Sequence, residues 1–245
     1  MKIIATIEND FISKFGIPRQ SGISETKSKI IFQPRYRDPD SLRGLENFSH
    51  LWLVWEFSES KTENWKPTVR PPRLGGNKRM GVFATRSPFR PNPIGLSCVK
   101  IESIEYSPSV GPILIVTGAD LMNGTPIYDI KPYITYSDSH PEAKCGFADE
   151  TFGKKWSVDF SDDVTSVLSP DLRKILIELL EQDPRPAYQN EPDRIYSFEY
   201  GNFLIKFTVK GKTLTVISLD TTSHQHENPW FYSIFCICKI KNLYI

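Results

Sequence analysis

Residues 51–57 read LWLVWEF (Leu51–Phe57), an almost unbroken apolar run carrying two tryptophans and a valine. A run this short, apolar and rich in aromatic residues predicts a buried strand. Further short β-prone segments surround it. Ile3–Ile7 and Ile30–Phe32 precede it; Gly81–Thr85, Ile94–Ile104, Pro112–Thr117 and Ile127–Ile134 follow, bounded by Pro, Gly or Ser. Many short strands with turn signals between them predict a mostly β region over residues 1–137, closed as a barrel or sandwich.

The pattern changes after that. Residues 138–168 are polar and irregular and read as a linker with short local structure. Ser169 to about Gln182 reads as a helix. Ser169 suits the N-cap, Pro170 the first helical position and Asp171 the positive helix start. Leu172, Ile175, Leu176, Leu179 and Leu180 line one face, and Asp183-Pro184 ends the element. Ile195–Tyr200, Phe203–Val209 and Thr213–Leu219 read as three strands joined by tight turns at Gly201-Asn202 and Gly211-Lys212. The expectation is therefore a mainly β chain with a smaller α+β C-terminal domain over 169–228. An apolar tail at 229–245 has no assigned role.

Composition narrows the function. The chain has 245 residues, 39% hydrophobic and 24% charged, which describes an ordinary folded protein. The opening MKIIATIEND is interrupted by Glu8 and Asp10 too soon for a secretory signal. No run of eighteen apolar residues predicts a membrane span. A cytoplasmic, reduced protein is expected. Cys98, Cys145, Cys236 and Cys238 form neither a disulfide framework nor a C-x-x-C zinc pair. His224-x-His226 with Glu227 lacks further ligands, so no metal is expected.

The net charge of +1 hides an asymmetry. Lys66, Arg70, Arg73, Lys78, Arg79, Arg86, Arg90 and Lys100 fall between Asn64 and Lys100, a window without Asp or Glu. Residues 138–200 are strongly acidic. A concentrated basic segment suits phosphate neutralisation. The alternative is a solvated loop. The six prolines and four glycines between Trp65 and Lys100 favour a shaped surface over a loose one. No P-loop, G-x-G-x-x-G or G-x-S-x-G is present, which leaves a Rossmann-type cofactor site unsupported. Asn92-Pro93-Ile94 lacks the second Pro and the aromatic of the amino-methyltransferase N/D-P-P-Y/F loop.

The segment RPPRLGGNKRMGVFATRSPFRPNPIGLS (Arg70–Ser97) resembles the signature of the TsaA-like family, the tRNA (adenine-N6)-methyltransferases of the TrmO type. GIPRQSG (Gly16–Gly22), LRGLENFSHLWLVWEF (Leu42–Phe57), ADLMNGTPIYDIKPYI (Ala119–Ile134) and QDPRPAYQ (Gln182–Gln189) resemble its other blocks, in order. The tail after about His226 does not match. The resemblance implies a single-sheet β-barrel with a smaller C-terminal domain, use of S-adenosylmethionine, and a homodimer with the donor near the subunit interface. It implies methylation of N6 of threonylcarbamoyladenosine 37, beside the anticodon of threonine tRNA. Alternatives are a family methyltransferase acting on another RNA or a small molecule, and a non-catalytic module binding S-adenosylmethionine or RNA.

The same resemblance places donor contacts at Pro18, Arg19, Gln20, His50, Leu51, Arg86, Leu96, Asp120, Leu121, Met122 and Asn123. Arg can hold the donor's carboxylate, and Asp its ribose hydroxyls or ammonium. Leu96 is alternatively core, His50 a packing residue and Arg19 an RNA contact. Arg70, Arg73, Lys78 and Arg79 are candidates for phosphate contact. Asp183, Arg185 and Tyr188 are candidates for substrate contact or for the departing proton, or form a structural turn. No catalytic residue is assigned.

Overall fold

The computed structural model describes residues 1–60, 64–71, 74, 78–149, 153, 155–185, 191 and 194–222. Eight strands come from the first half: β1 (Ala5–Glu8), β2 (Lys27–Phe32), β3 (His50–Glu56), β4 (Thr68–Val69), β5 (Met80–Gly81), β6 (Ile94–Ser107), β7 (Gly111–Thr117) and β8 (Pro126–Pro132). Six of them hydrogen-bond in the order β1-β2-β7-β6-β3-β8. Since β8 also pairs with β1, the sheet closes on itself. Every pairing in this ring is antiparallel.

The LWLVWEF run is not buried throughout. Leu51, Leu53 and Trp55 are buried inside the ring, whereas Trp52 and Val54 are half-buried on its outer face. Alternation follows from the two-residue period of a strand. The outer tryptophan has local partners. Trp52 packs 5.9 Å from the Tyr133 ring and donates its Nε1–H to Asp138 Oδ2 at 2.9 Å. Ile7, Ile30, Leu114 and Ile127 complete the centre of the ring's core. Each such side chain, fully buried, contributes about 1.5–3 kcal/mol.

Gly81–Thr85 departs from expectation. Only Gly81 continues the two-residue ribbon of β4 and β5, and Val82–Ala84 turns instead as one 3-10 turn. Val82 N–H donates to Pro67 O at 2.9 Å, and Thr85 returns both its N–H and its hydroxyl to Val82 O. The backbone is thereby satisfied without a neighbouring strand.

The second half adds α1 (Thr135–Asp138), β9 (Ser157–Phe160), α2 (Asp162–Val167), α3 (Pro170–Leu180), β10 (Tyr196–Tyr200), β11 (Phe203–Lys210) and β12 (Thr213–Thr221). Ser169 caps α3 as expected, accepting from Leu172 N. Leu172, Leu176, Leu179 and Leu180 are buried on its inner face. The expected linker, by contrast, is structured in its second half. β9 adds in parallel to β12, giving the sheet order β10-β11-β12-β9, and α2 packs Val164 into the same core. Polar residues alternate with Val158 and Phe160 there, so a four-residue edge strand left little periodicity to read.

Residues 9–20 connect the two cores. Phe11, Phe15 and Ile17 pack into the second core although they follow β1 of the ring. Gly16 has a φ of +95°, and a Cβ there would lie 2.3 Å from the Phe198 ring. Only glycine meets both demands. Residues 223–245 lie outside the described residues, and with them the apolar tail, His224, His226, Cys236 and Cys238.

Candidate functional site

The loop Pro18–Gly22 lies between three parts of the molecule. Pro18 is buried. Arg19 Nη2 donates to the carbonyls of Asp183 (2.7 Å) and Arg185 (3.2 Å). Gln20 Oε1 accepts from Arg86 Nη1 at 2.5 Å, which joins the loop to the SPFRPNP segment. Ser21 Oγ accepts from Cys98 N–H on β6 at 3.2 Å, and Gly22 N–H donates to Gly118 O at 2.8 Å after β7. A separate sequence block therefore reaches the ends of β6 and β7.

Asp120 follows β7 at the same place. Its Oδ1 accepts from Ser97 Oγ at 2.5 Å, and Ser97 Oγ accepts in turn from Trp55 Nε1 at 2.9 Å. Ser97 is fully buried. A Cβ at Gly95 would lie 2.1 Å from the Trp55 ring, so the glycine makes room for the indole that completes this chain. Burial pushes the Asp120 carboxyl above the usual aspartate range; the Ser97 hydrogen bond and the Arg86 charge oppose that shift. The arrangement offers a guanidinium, an amide and a carboxyl around one edge of the ring. That set suits a ligand with a carboxylate at one point and hydroxyls or an ammonium at another.

The remaining expected donor residues are placed differently. Leu51 and Leu121 are fully buried in the ring core, so only their backbone can face a ligand. Asn123 ties the turn to residues 9–11: its Oδ1 accepts from Asn9 N–H at 3.0 Å and its N–H donates to Phe11 O at 2.8 Å. Met122 O accepts from the Thr125 hydroxyl. Leu96 is 57% exposed on the outer face of β6. His50 pairs in register with Lys100, whereas Ser97 pairs with Leu53. Three residues of strand, about 10 Å, separate His50 from the Asp120 level. Its ring contacts Ser49 and Tyr133.

Among the basic candidates, Arg70, Lys78 and Arg79 are exposed. Arg79 also donates to Thr68 Oγ1 at 3.0 Å. Arg73 and Tyr188 lie outside the described residues. Asp183 and Arg185 are used on each other. Arg185 Nε and Nη2 donate to the two Asp183 carboxylate oxygens at 2.8 and 3.0 Å. Arg185 is 6% exposed, with the Trp156 and Tyr196 ring centroids 4.9 and 5.6 Å from its guanidinium. The Asp183 and Arg185 side chains are thus bonded to each other.

Ser97, Trp55 and Ser21 are the residues that sequence reading missed. Ser97 closes the recognised basic block, but nothing local distinguishes it from a strand serine. Two shallow grooves of about 530 and 580 Å³ lie elsewhere, around residues 35–48, and none of the expected donor residues lines them. Among the described residues, no group of three or more His, Cys, Asp or Glu is placed to hold a metal, and no helix is long and apolar enough to cross a membrane.

Residues 6–139 match the tRNA-methyltransferase O N-terminal domain and residues 154–222 the TrmO C-terminal domain. The chain is 39% identical over 227 residues to an Escherichia coli tRNA (adenine(37)-N6)-methyltransferase, covering 89% of this chain and 96% of that one. It is 38% identical over 201 residues to a putative S-adenosylmethionine-dependent methyltransferase of Pseudomonas aeruginosa, covering 79% and 85%. A crystal structure of TrmO from Pseudomonas aeruginosa superposes with a TM-score of 0.69 at 29% identity, covering 89% of this chain and 97% of that one. With both of its domains matched in order, the chain belongs to the tRNA-methyltransferase O family.

Proposed function

We propose that this protein transfers the methyl group of S-adenosylmethionine to N6 of adenosine 37 in tRNA. The observation that carries the reading is the match along nearly the whole chain to a protein named for that reaction. In the finer form of the proposal the acceptor is threonylcarbamoyladenosine in threonine tRNA, and the enzyme is a cytoplasmic homodimer with the donor near the subunit interface. The closed ring serves as a single-sheet barrel scaffold. The apolar side chains of Ile94 and Leu96, both exposed on the outer face of β6, support a surface that a second copy covers.

The residues around Arg86 and Asp120 fit the donor. Arg86, held by Gln20, meets the donor's carboxylate; Asp120, held by Ser97, takes its hydroxyls or ammonium. Pro18, Arg19, His50, Leu51, Leu96 and Leu121–Asn123 complete the proposed lining, Leu51 and Leu121 through backbone alone. The bound sulfonium supplies an activated methyl group. What the protein adds is alignment: paired side chains with few free rotamers hold the reactants in line, and alignment of this kind can supply several kcal/mol of rate enhancement. Exposed Arg70, Lys78 and Arg79 neutralise tRNA phosphates.

Nucleoside mass spectrometry of tRNA from a strain lacking the gene tests the proposal. Loss of one methyl group from threonylcarbamoyladenosine, restored by the gene, is the expected result. Donor binding by the purified protein without methyl incorporation into tRNA would instead mark a sensor.

A further inference from the structure

We infer that the exposed rings of Trp65 and Phe83 form a stacking platform for an unpaired base of the RNA substrate, adjoining the donor site. This deepens the tRNA reading above and rests on it. Phe83 is 70% exposed and Trp65 44%, and their ring centroids lie 5.9 Å apart with the planes 35° from each other. Large apolar side chains at such exposure, side by side, ask for a partner.

The platform is built firmly. Phe83 sits in the 3-10 turn between buried Val82 and Thr85, and Val82 is fixed through its N–H to Pro67 O. The Arg90 guanidinium lies 5.5 Å from the Phe83 ring centroid. It is held there by its own donation to Val82 O (3.1 Å) and Thr85 O (2.7 Å). Phe83 and Arg90 are thus held by hydrogen bonds already made, so little conformational freedom is lost when a ligand lands.

Charge decides the kind of ligand. Lys66, Arg70, Lys78 and Arg79 are exposed in the same segment, and no Asp or Glu occurs between Asn64 and Lys100. Aromatic rings interleaved with cations, in a segment without acidic residues, fit a single-stranded nucleic acid, whose bases stack on rings while its phosphates meet the cations. An apolar protein partner would use the rings and leave the cations repelling one another. Position fits as well. Phe83 precedes Arg86 by three residues, at most about 10 Å of chain. A base stacked there is a neighbour of the base being methylated, as anticodon-loop nucleotides are neighbours of adenosine 37.

The test uses the full-length protein and an anticodon stem-loop RNA. Fluorescence anisotropy gives RNA affinity, calorimetry gives donor affinity, and sedimentation gives the oligomeric state. Phe83→Ala is expected to weaken RNA binding about 5- to 150-fold with donor affinity unchanged. Its salt dependence stays that of the wild type, because no phosphate contact is lost, whereas Lys78→Ala flattens it. Phe83→Tyr keeps wild-type affinity; Phe83→Leu, apolar but without a π-face, does not. Unchanged RNA affinity in Phe83→Ala overturns the inference, as does a change of oligomeric state, which makes the rings a subunit contact. A wild-type chain that binds donor but neither binds nor methylates tRNA removes the RNA reading itself. Wild-type methylation with an indifferent Phe83 removes the platform alone.

Discussion

Asp120 and Arg185 are both charged side chains drawn into hydrogen-bonded clusters beside tryptophan, and both fall in blocks that sequence marks for function. Their surroundings differ. Asp120 has one oxygen fixed by Ser97, remains half-buried, and stands with exposed Arg86 at an edge of the ring. Arg185 is paired through two hydrogen bonds to Asp183, nearly inaccessible, and flanked by Trp156 and Tyr196. One cluster leaves an exposed guanidinium and a half-buried carboxyl that are not bonded to each other. The other has used its charge internally, and what remains for other groups is backbone: the Asp183 and Arg185 carbonyls that receive Arg19. A motif can thus leave its side chains open at a surface, or use them to fix a neighbouring loop.

The largest effect is expected at the internal cluster. Arg185→Ala leaves the Asp183 carboxylate, 23% exposed, without its partner and opens space between two rings. Breaking a buried pair from one side costs about 3–5 kcal/mol, with the lower end expected here because Asp183 keeps some solvent. Urea unfolding followed by tryptophan fluorescence measures it. Donor affinity at a denaturant-free, fully folded temperature should change far less than stability; an equal loss would erase the distinction between the two clusters.

A smaller effect is expected at Ser97. Ser97→Ala removes the hydroxyl that joins Trp55 Nε1 to Asp120 and leaves a buried indole N–H unpaired, about 1–3 kcal/mol. Donor affinity should fall together with stability, because the carboxyl loses one of the hydrogen bonds that orient it. Ser97→Thr, which keeps the hydroxyl, should recover donor affinity in calorimetry more than it recovers Tm.

The smallest effect is a slope with pH. Burial raises the Asp120 carboxyl above the ordinary aspartate value. Between that ordinary value and the raised one, the folded protein keeps a proton that the unfolded chain has lost. Asp120 therefore stabilises the fold less as pH rises through this window. Binding of a cationic donor group runs the other way, strengthening as the carboxyl ionises. Calorimetry across the window should show donor affinity rising with pH in the wild type and flat in Asp120→Asn. A flat wild-type profile would place Asp120 beside Arg185 as a structural charge.

Much of the molecule was legible in the chain because the determinants are local. The α3 boundaries follow from Ser169, Pro170 and Asp183-Pro184, all within two turns of the helix they bound. The strand of LWLVWEF was legible, but its inner and outer faces were not, since an outer Trp52 looks like an inner Trp55 until Tyr133 and Asp138 arrive beside it. β9 was read as linker because its reason to be extended is β12, more than fifty residues later.

The sequence by itself determined the mainly β character, the capped helix, the smaller C-terminal domain, the basic segment without acids and the family to which the blocks belong. Those are properties of short windows and of their order. Only the tertiary structure decided which polar groups meet. Trp55 and Ser97 are 42 residues apart, Ser97 and Asp120 are 23 apart, and Gln20 and Arg86 are 66 apart. Ring closure and strand register place Leu53 opposite Ser97 and carry Asp120 to its hydroxyl. No window of sequence holds that information, because a hydrogen bond is fixed by distance in space, and here that distance is set by six strands closing on one another.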